Sequence, residues 1–542
     1  MKTRYAPNVR NAVVASLVVG ALGTGIMVFG PGGEDGPAPA PGPAGQAMLA
    51  AGVGASRSLG EVSALIRSHE KWVGAHPDDS GAWAVLGLAY TQRGVLLGDP
   101  TSYPKAETAL KRSLEALPGE KGNADAQLGM AVLANVRRDY AAAKRWAESV
   151  RARTPKQWTT YPVLIDAYSG LGQYAGAEKA MAKLSALRPG LPQTLLRSSQ
   201  VAQVQGQRED AIATADEAST RSATTAEKTV AMHRLGELAW ERGEPGEAAG
   251  YYDAALRLDP RHHPSLAGRA RARAALGRTN EALRDYQAAV QRLPLPRYAL
   301  QAGELYESLG QRTEALAQYG AVRTLAARAR KSGANEELVL AAYEADHASA
   351  RSAVTRLGRQ WRQLRRNTEV SDTLGWALFR AGRTKEGLKY AKRATATGEQ
   401  NALYWYHRGE IERSLGDDGP ARRHLAQALR INPYFSPLLV KRAKAALKEL
   451  GDPPPGGPRD VEGEPWDDSV IPDDDGDYPE DDGDYPEDEE SPAQSPGPRE
   501  SRSPAESDQP RDVRPSGARR DADGTSPEPT RVGAAPHPSE GG

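Results

Sequence analysis

The sequence predicts an all-helical solenoid, meaning one continuous stack of helical hairpins, between residues 59 and 450. A pattern of small and apolar residues recurs there at steps of 33 to 38 residues. Within each step the apolar residues lie three and four positions apart, which is the spacing of one face of an α-helix. The 542-residue chain also has only 3 phenylalanines and no cysteine. This composition suits closely packed helices and argues against a β-sandwich.

The first segment, residues 1–30, predicts a membrane anchor that is not cleaved. Lys2, Arg4 and Arg10 precede an uncharged stretch at 12–29. As a helix, that stretch reaches roughly 27 Å, slightly less than the ~30 Å hydrocarbon core of a bilayer. Because the basic residues lie on its N-terminal flank, we expect a single-pass protein of the cell membrane with most of the chain extracytoplasmic. A cleaved signal that leaves a secreted protein, and a buried soluble helix, are the alternatives.

Two segments beside the repeats lack the apolar periodicity of folded structure. Residues 31–58 are rich in Pro, Gly and Ala and predict a semi-stiff linker. Residues 451–542 are rich in Pro, Gly, Ser and acidic residues and predict a disordered tail. The tail concentrates charge, since 460–490 contain 17 Asp or Glu and no Lys or Arg, whereas the whole chain has 70 acidic and 70 basic residues.

Ten repeat units align on one small residue each, which we call the marker. For the marker Ala177, Gly172 lies five residues before it and Pro189 twelve after it. The glycine ends the first helix of a hairpin, the marker lets the two helices approach closely, and the proline stops the second helix. Upstream, an apolar face such as Leu164 and Ile165 must stack on neighbouring hairpins to be buried. The markers are Ala106, Ala143, Ala177, Ala211, Ala248, Ala282, Ala315, Ala353, Gly387 and Ala421.

These repeats closely resemble the tetratricopeptide repeat (TPR) family. The resemblance rests on Trp83, Leu86, Gly87 and Tyr90 in the first unit and on the sequence of 236–260 in the fifth. It implies a right-handed superhelix of about ten repeats, a concave groove lined by the first helices, and a protein-binding role without catalysis. The overall layout is also similar to that of exported or membrane-anchored TPR proteins of actinobacteria.

The unit around Ala353 departs from the family pattern by a shortened turn, and the unit around Gly387 departs by lacking the marker alanine. Residues 438–450 look like the solvating cap helix that ends such stacks.

The resemblance implies that residues 18, 15, 11 and 8 positions before each marker face the groove. Aromatic residues among them supply rigid contact area for a partner, and packing in the seams between repeats is the alternative for each. The candidate partner-binding residues are Asn135, Asp166, Gln200, Gln203, His233, Glu237, Trp240, Arg271, Glu304, Trp376, Phe379 and Tyr406.

Charge at the groove positions favours particular partners. Over all ten units these positions hold eight acidic residues and three arginines, so we expect a net negative groove that prefers neutral to basic extended peptides. Nucleic acid is not expected as a partner, because RNA-reading helical repeats need base-contacting residues on the groove face, and this face is acidic.

The sequence contains no recognisable catalytic motif. There is no phosphate-binding loop, no HExxH zinc motif and no nucleophile elbow. The repeats occupy 61–450, which leaves no stretch long enough to fold a catalytic domain. The lack of cysteine excludes disulfides and thiolate metal sites, and His262 and His263 are adjacent and do not face one another on a helix. We therefore expect no enzyme activity, no cofactor and no metal site.

Taken together, these features predict a non-catalytic scaffold on the extracytoplasmic side, whose groove binds extended peptides or proteins. One alternative is a secreted or envelope-associated factor whose acidic tail binds cations or cationic envelope polymers. Another is a regulatory subunit of a separate enzyme. The sequence predicts no particular oligomeric state.

Overall fold

All regular structure that is described in this protein is helical. The computed structural model describes residues 59–363 and 366–452, in which 22 α-helices and one short 3-10 helix follow one another without a strand. The all-α prediction is therefore confirmed. The predicted membrane segment at 1–30, the linker at 31–58 and nearly all of the tail at 451–542 lie outside the described residues. Among the helices that are described, none is long and apolar enough to cross a membrane.

The helices alternate with short loops and pair into hairpins. They are α1 Leu59–Ala75, α2 Ser80–Leu97, α3 Ser102–Ala116, α4 Ala124–Val136, α5 Tyr140–Arg153, α6 Thr160–Leu171, α7 Tyr174–Leu187, α8 Pro192–Val204, α9 Arg208–Arg221, α10 Thr225–Glu241, α11 Pro245–Leu258, α12 His263–Ala275, α13 Thr279–Arg292, α14 Pro296–Ser308, α15 Arg312–Lys331, α16 Glu337–His347, α17 Ala350–Arg362, α18 Thr368–Arg380, α19 Thr384–Ala394, α20 Ala402–Ser414, α21 Asp418–Ile431 and α22 Leu439–Leu450. The pairs α2–α3 through α20–α21 form hairpins 1 to 10. Helix α1 precedes the first hairpin and α22 follows the last.

Each marker lies in the second helix of its hairpin and is buried. The nine marker alanines are at most 3% exposed, so the ten-unit alignment is confirmed. The departure at Gly387 has a physical reason, because a Cβ there would lie 2.6 Å from the carbonyl oxygen of Gly375. The two helices of hairpin 9 therefore approach more closely than an alanine would allow.

The hydrophobic core runs along the stack between successive helices. The predicted apolar face of hairpin 3 is buried, with Leu164 and Ile165 at most 2% exposed. At the C-terminal end, α22 buries Leu439 and Ala443 and exposes Lys441. One face of α22 thus covers the core while the other is solvated, as predicted for a cap helix.

In eight of the ten hairpins, the residue five positions before the marker adopts the left-handed backbone conformation that ends a helix. Gly172 has φ of +73° and Gly206 has φ of +78°, values that cost glycine little. In hairpin 2 the same position is Arg138, with φ of +60°, the one positive-φ residue other than glycine among those described. Its guanidinium Nη1 donates to the carbonyl oxygen of Asn335 at 2.8 Å. A distant contact therefore accompanies the strained backbone.

The stack returns to contact itself at five places, which we call junctions 1 to 5. At each one, the turn inside one of hairpins 1 to 5 meets the loop that follows a later hairpin. At junctions 2 to 5, cross-junction hydrogen bonds join residues 192 to 198 positions apart, so one circuit takes between five and six hairpins. The residues in contact are Gly98 with Leu293, Arg138 with Asn335, Gly172 with Arg366, Gly206 with Gly398, and Gly243 with Pro433.

Candidate partner-binding groove

The first helices of neighbouring hairpins are connected by polar side chains at the predicted groove positions. Nδ2 of Asn135 on α4 donates to the carbonyl oxygen of Val163 on α6 at 3.0 Å. Asp166 on α6 forms an ion pair with Arg197 on α8 at 2.9 Å. Each contact links one hairpin to the next. We call this series of contacts the polar ladder, and the surface that it follows the groove.

The ladder continues through the middle of the stack. Nε2 of Gln203 on α8 donates to both carboxylate oxygens of Glu241 on α10, at 2.5 and 2.6 Å. Glu237 on α10 accepts from Nη2 of Arg271 on α12 at 2.6 and 2.8 Å. Gln200 lies one helical turn from Gln203 and is exposed. Four predicted residues and Glu241 therefore follow one line across α8, α10 and α12.

Glu237 is the most strongly held carboxylate of the groove. The hydroxyl of Tyr252 donates to it at 2.6 Å, and Nε2 of His233 lies 4.0 Å away. Burial by itself raises the pKa of Glu237, but the Arg271 guanidinium, with help from His233 and Tyr252, holds it at about 2. The same guanidinium lies 5.3 Å from the ring centroid of Trp240, a distance at which a cation is attracted to the ring face.

A second polar cluster connects hairpins 7 and 8. Nδ1 of His347 lies 3.2 Å from Glu307, and Nε2 lies 3.8 Å from Glu304. The Tyr319 hydroxyl donates to Glu307 at 2.6 Å, and its ring stacks on His347 with centroids 4.3 Å apart. Burial raises the pKa of Glu304. The carboxylates of this cluster therefore face a histidine rather than an arginine.

The predicted aromatic residues of the groove pack mainly between hairpins. Trp240 is 9%, Trp376 4% and Tyr406 2% exposed, and Phe379 is partly buried. Nε1 of Trp376 donates to Asp346 of the preceding hairpin at 3.0 Å. The expectation of exposed ring area is therefore wrong for Trp240, Trp376 and Tyr406, because each ring fills a seam. A role for these positions in partner binding stays a prediction.

The ladder partners of the groove acids were missed by the sequence analysis. Arg197 pairs with Asp166, and His407 lies 2.9 Å from Asp372. In these pairs, and in the pair of Glu237 with Arg271, the partner lies 31 to 35 residues after the acid, which is one repeat. These pairs could have been predicted from the sequence by searching for a basic residue about one repeat after each groove acid. Much of the predicted negative charge is therefore compensated within the chain.

The groove side chains described above offer hydrogen bonds and charge. Within the described residues, no group of three or more His, Asp or Glu side chains is arranged to hold a metal ion. The adjacent His262 and His263 have other neighbours, because Nδ1 of His262 lies 2.8 Å from Ser265 Oγ and Nδ1 of His263 lies 2.7 Å from the Tyr298 hydroxyl. The groove is thus suited to binding by complementary contacts.

Stacked hairpins that expose a continuous line of polar side chains define a helical-repeat protein. A family model described as tetratricopeptide repeat matches residues 373–434, which cover most of hairpin 9 and all of hairpin 10. A second model, described as bacterial transcriptional activator domain, matches 196–294. The tetratricopeptide repeat match lies within the predicted repeats and shows that this part of the chain is similar to that family.

Individual proteins match the chain over parts of its length. A tetratricopeptide repeat and J domain-containing co-chaperone of Fusarium oxysporum is 43% identical over 112 residues, and the match spans 20% of this chain and 21% of the co-chaperone. The anaphase-promoting complex hetero-tetramer Cut9–Hcn1 is 14% identical with a TM-score of 0.37, and covers 69% of this chain and 84% of its own. A tetratricopeptide repeat protein of Parabacteroides merdae is 18% identical with a TM-score of 0.29, and the match covers 48% of this chain and 99% of that protein.

Proposed function

We propose that this protein is a non-catalytic scaffold whose groove binds an extended segment of a protein partner. Tetratricopeptide repeat folds generally mediate protein–protein interaction. The observation that carries the proposal is the polar ladder, because it repeats side-chain contacts at a spacing of one hairpin along a single surface. An extended segment is the partner that such a periodic surface suits, since it can contact several hairpins at once.

We infer that the bound segment is neutral to basic and carries hydrogen-bond donors. Gln200 and Glu369 are exposed groove positions on α8 and α18. Glu304 lies next to a histidine instead of an arginine. Donor groups of a partner, including lysine and arginine side chains, are the natural ligands of these amide and carboxylate oxygens.

Site-specific photocrosslinking tests the groove. A photoreactive amino acid is placed at Gln200 or Glu369 in the groove, or at the exposed Lys183 on α7, a second helix. We expect the same partner segment to be captured from both groove positions and not from Lys183. Capture of the same proteins from all three positions would contradict binding in the groove.

We also propose that the repeats lie on the extracytoplasmic side of a membrane, tethered through residues 1–30. The supporting observation is the uncharged stretch at 12–29 behind a basic flank. The alternative is a secreted or envelope-associated factor attached through the 17 acidic residues of 460–490. Membranes washed with high salt should keep the tethered protein, while electrostatic attachment is lost because salt screens exposed charges. Release from washed membranes, and loss of attachment on deletion of 460–490, would support the alternative.

A further inference from the structure

Junction 4 joins two parts of the chain that are far apart in sequence. Its first side is the turn between α8 and α9 together with the end of α10, and its second side is the loop between α19 and α20. A Cβ at Gly206 would lie 2.4 Å from the carbonyl oxygen of Gly398. Nη2 of Arg208 donates to the carbonyl oxygen of Gln400 at 3.2 Å. Close backbone packing and one hydrogen bond therefore hold this part of the stack closed.

A small cavity of about 20 Å³ lies within junction 4. That volume is enough for about one water molecule. Its lining includes Glu241 and Gln203 from the first side of the junction and Glu399 from the second. Two carboxyl groups from opposite sides thus line one small, confined space, and both residues are only partly exposed.

Glu241 has both acidic and basic neighbours. On α10 it is near Arg234, Glu237 and Arg242, and Gln203 of α8 donates to it. Arg208 of α9 and Arg271 of α12 are the other nearby cations. His233, which faces Glu237, has its pKa lowered by burial and so stays neutral near pH 7. Across the junction, Glu241 faces Glu399.

Glu399 lies in mainly acidic surroundings. The hydroxyl of Thr368 on α18 donates to it at 2.9 Å, and Asn401 also forms a hydrogen bond with it. Glu369 and Asp372 of α18 are its nearest charges on its own side. Tyr174 of α7 is also close, and the nearby cation Arg393 of α19 faces that tyrosine. Ionised Glu399 is therefore opposed by acids on both sides of the junction.

We propose that junction 4 is a pH-sensitive closure of the stack, which is closed while Glu241 and Glu399 hold protons and opens when both are ionised. In the closed arrangement two charges facing each other across a small cavity repel, and partial burial penalises each one. Separation of the two sides admits water to both carboxylates. The closure includes the ladder contact of Gln203 with Glu241, and it is a property of the chain itself that is measured without a partner.

The titration of the two carboxyl groups falls near neutral pH. Burial raises the pKa of Glu241 from its ordinary 4.5 to about 7, helped by Glu237 and Glu399 and opposed by Arg234. Burial also raises the pKa of Glu399 to about 7. The closed state therefore binds more protons than the open state, and a rise in pH through 7 favours opening. Between pH 6 and pH 8 the ratio of closed to open should fall about tenfold for each carboxyl that regains its ordinary pKa.

The other junctions provide controls within the same molecule. At junction 2, Arg138 forms an ion pair with Glu336 at 2.5 Å, so opposite charges rather than two acids face each other there. At junction 5, Nδ2 of Asn432 donates to the carbonyl oxygen of Trp240 at 2.7 Å, a bond between neutral groups. Opening at these two places should not increase between pH 6 and pH 8.

Hydrogen exchange of the full chain tests the closure. Amide exchange is measured at pH 6, 7 and 8 and corrected for the intrinsic pH dependence of exchange. We expect protection of 238–244 and 396–401 to fall by about ten- to a hundredfold from pH 6 to pH 8, with little change near Arg138 and Asn335. Equal pH dependence at all junctions would overturn the proposal.

Substitution of the two carboxyl groups distinguishes an effect of their titration from a general loss of protection at high pH. The double variant Glu241→Gln and Glu399→Gln should keep junction 4 protected at pH 8 to the extent seen in the wild type at pH 6. Glu209→Gln, an exposed neighbour on α9, is the matched control and should keep the wild-type response. A double variant that still loses protection between pH 6 and pH 8 would refute the closure.

A distance measurement makes the test independent of how well the double variant folds. The chain has no cysteine, so Gln207→Cys and Lys392→Cys, both exposed, place one spin label on each side of the junction. In an otherwise wild-type chain, the distance distribution should broaden towards longer values between pH 6 and pH 8. A distribution that does not change over this range would overturn the proposal.

Discussion

The ion pair of Arg271 with Glu237 is expected to be a major contributor to the stability of hairpins 5 and 6. The two side chains are 24% and 26% exposed, so solvent screens their attraction only in part. The pKa of Glu237 is about 2, against an ordinary value of 4.5. That difference corresponds to about 3 kcal/mol at pH 7, at 1.36 kcal/mol per pKa unit.

The sign of the pH dependence follows from the lowered pKa. Because the folded state holds Glu237 ionised more strongly than the unfolded state, the contribution is complete above about pH 4.5 and declines as pH falls towards 2. At pH 3 about half of it should remain. Arg271→Met removes the guanidinium but keeps much of the side-chain volume, so the variant loses this contribution and leaves a buried carboxylate unpaired.

Native-state hydrogen exchange in urea measures the stability of α10 and α12 separately from the rest of the stack, which suits a repeat protein that need not unfold in one step. We expect Arg271→Met to lose about 3 kcal/mol in these helices at pH 7 and about half as much at pH 3. Arg257→Met, an exposed arginine on α11, is the control and should cost less than about 0.5 kcal/mol. An equal loss at both pH values, or a loss no larger than the control, would refute the reasoning.

Three further changes address closure, hydrogen bonding and packing. Gly172→Ala places a Cβ 2.5 Å from the carbonyl oxygen of Arg366 and should increase the radius of gyration in small-angle scattering. Gly277→Ala has a similar φ but no atom within 4 Å, and should cost about 1–2 kcal/mol without expansion; equal radii would contradict closure. Tyr252→Phe removes a donor to the α10 carboxylate, should cost about 1 kcal/mol, and should raise that carboxylate's pKa in an NMR titration; an unchanged titration would argue against the bond. Ala248→Leu overfills a site with 0% exposure and should cost about 1–3 kcal/mol; an unchanged Tm in calorimetry would contradict the close packing of the marker.

The hairpins were predictable from sequence because their causes are local. A glycine that adopts positive φ, a small marker and a terminating proline each act within one unit of 33 to 38 residues. Even the exception at Gly387 follows from a contact inside its own hairpin, with the backbone of Gly375. The predicted groove positions likewise lie together on the first helices, because each hairpin repeats the geometry of the last.

The ladder partners and the junctions were not predictable in the same way. The pairing of Asp166 with Arg197 depends on the rotation between two hairpins, and the sequence does not display that angle. The contact of Arg138 with Asn335 depends on the accumulated rotation of more than five hairpins. Small insertions change that total, and they therefore decide which loop meets which turn. The burial of Trp376 has the same origin, since seam and surface positions differ by a fraction of a helical turn.

The junctions also set an order in which the chain can assemble during synthesis. Each hairpin is complete once some 35 residues have emerged, but a junction needs a loop from nearly 200 residues further on. Contacts between near neighbours form quickly, and those that close a long stretch of chain form late. Until then, the turns of the first five hairpins have no loop packed against them. Helix-end carbonyl groups such as that of Trp240 still lack the hydrogen bond from Asn432. A nascent chain that stops after α12 would thus consist of well-formed hairpins in a ribbon whose ends have not yet met.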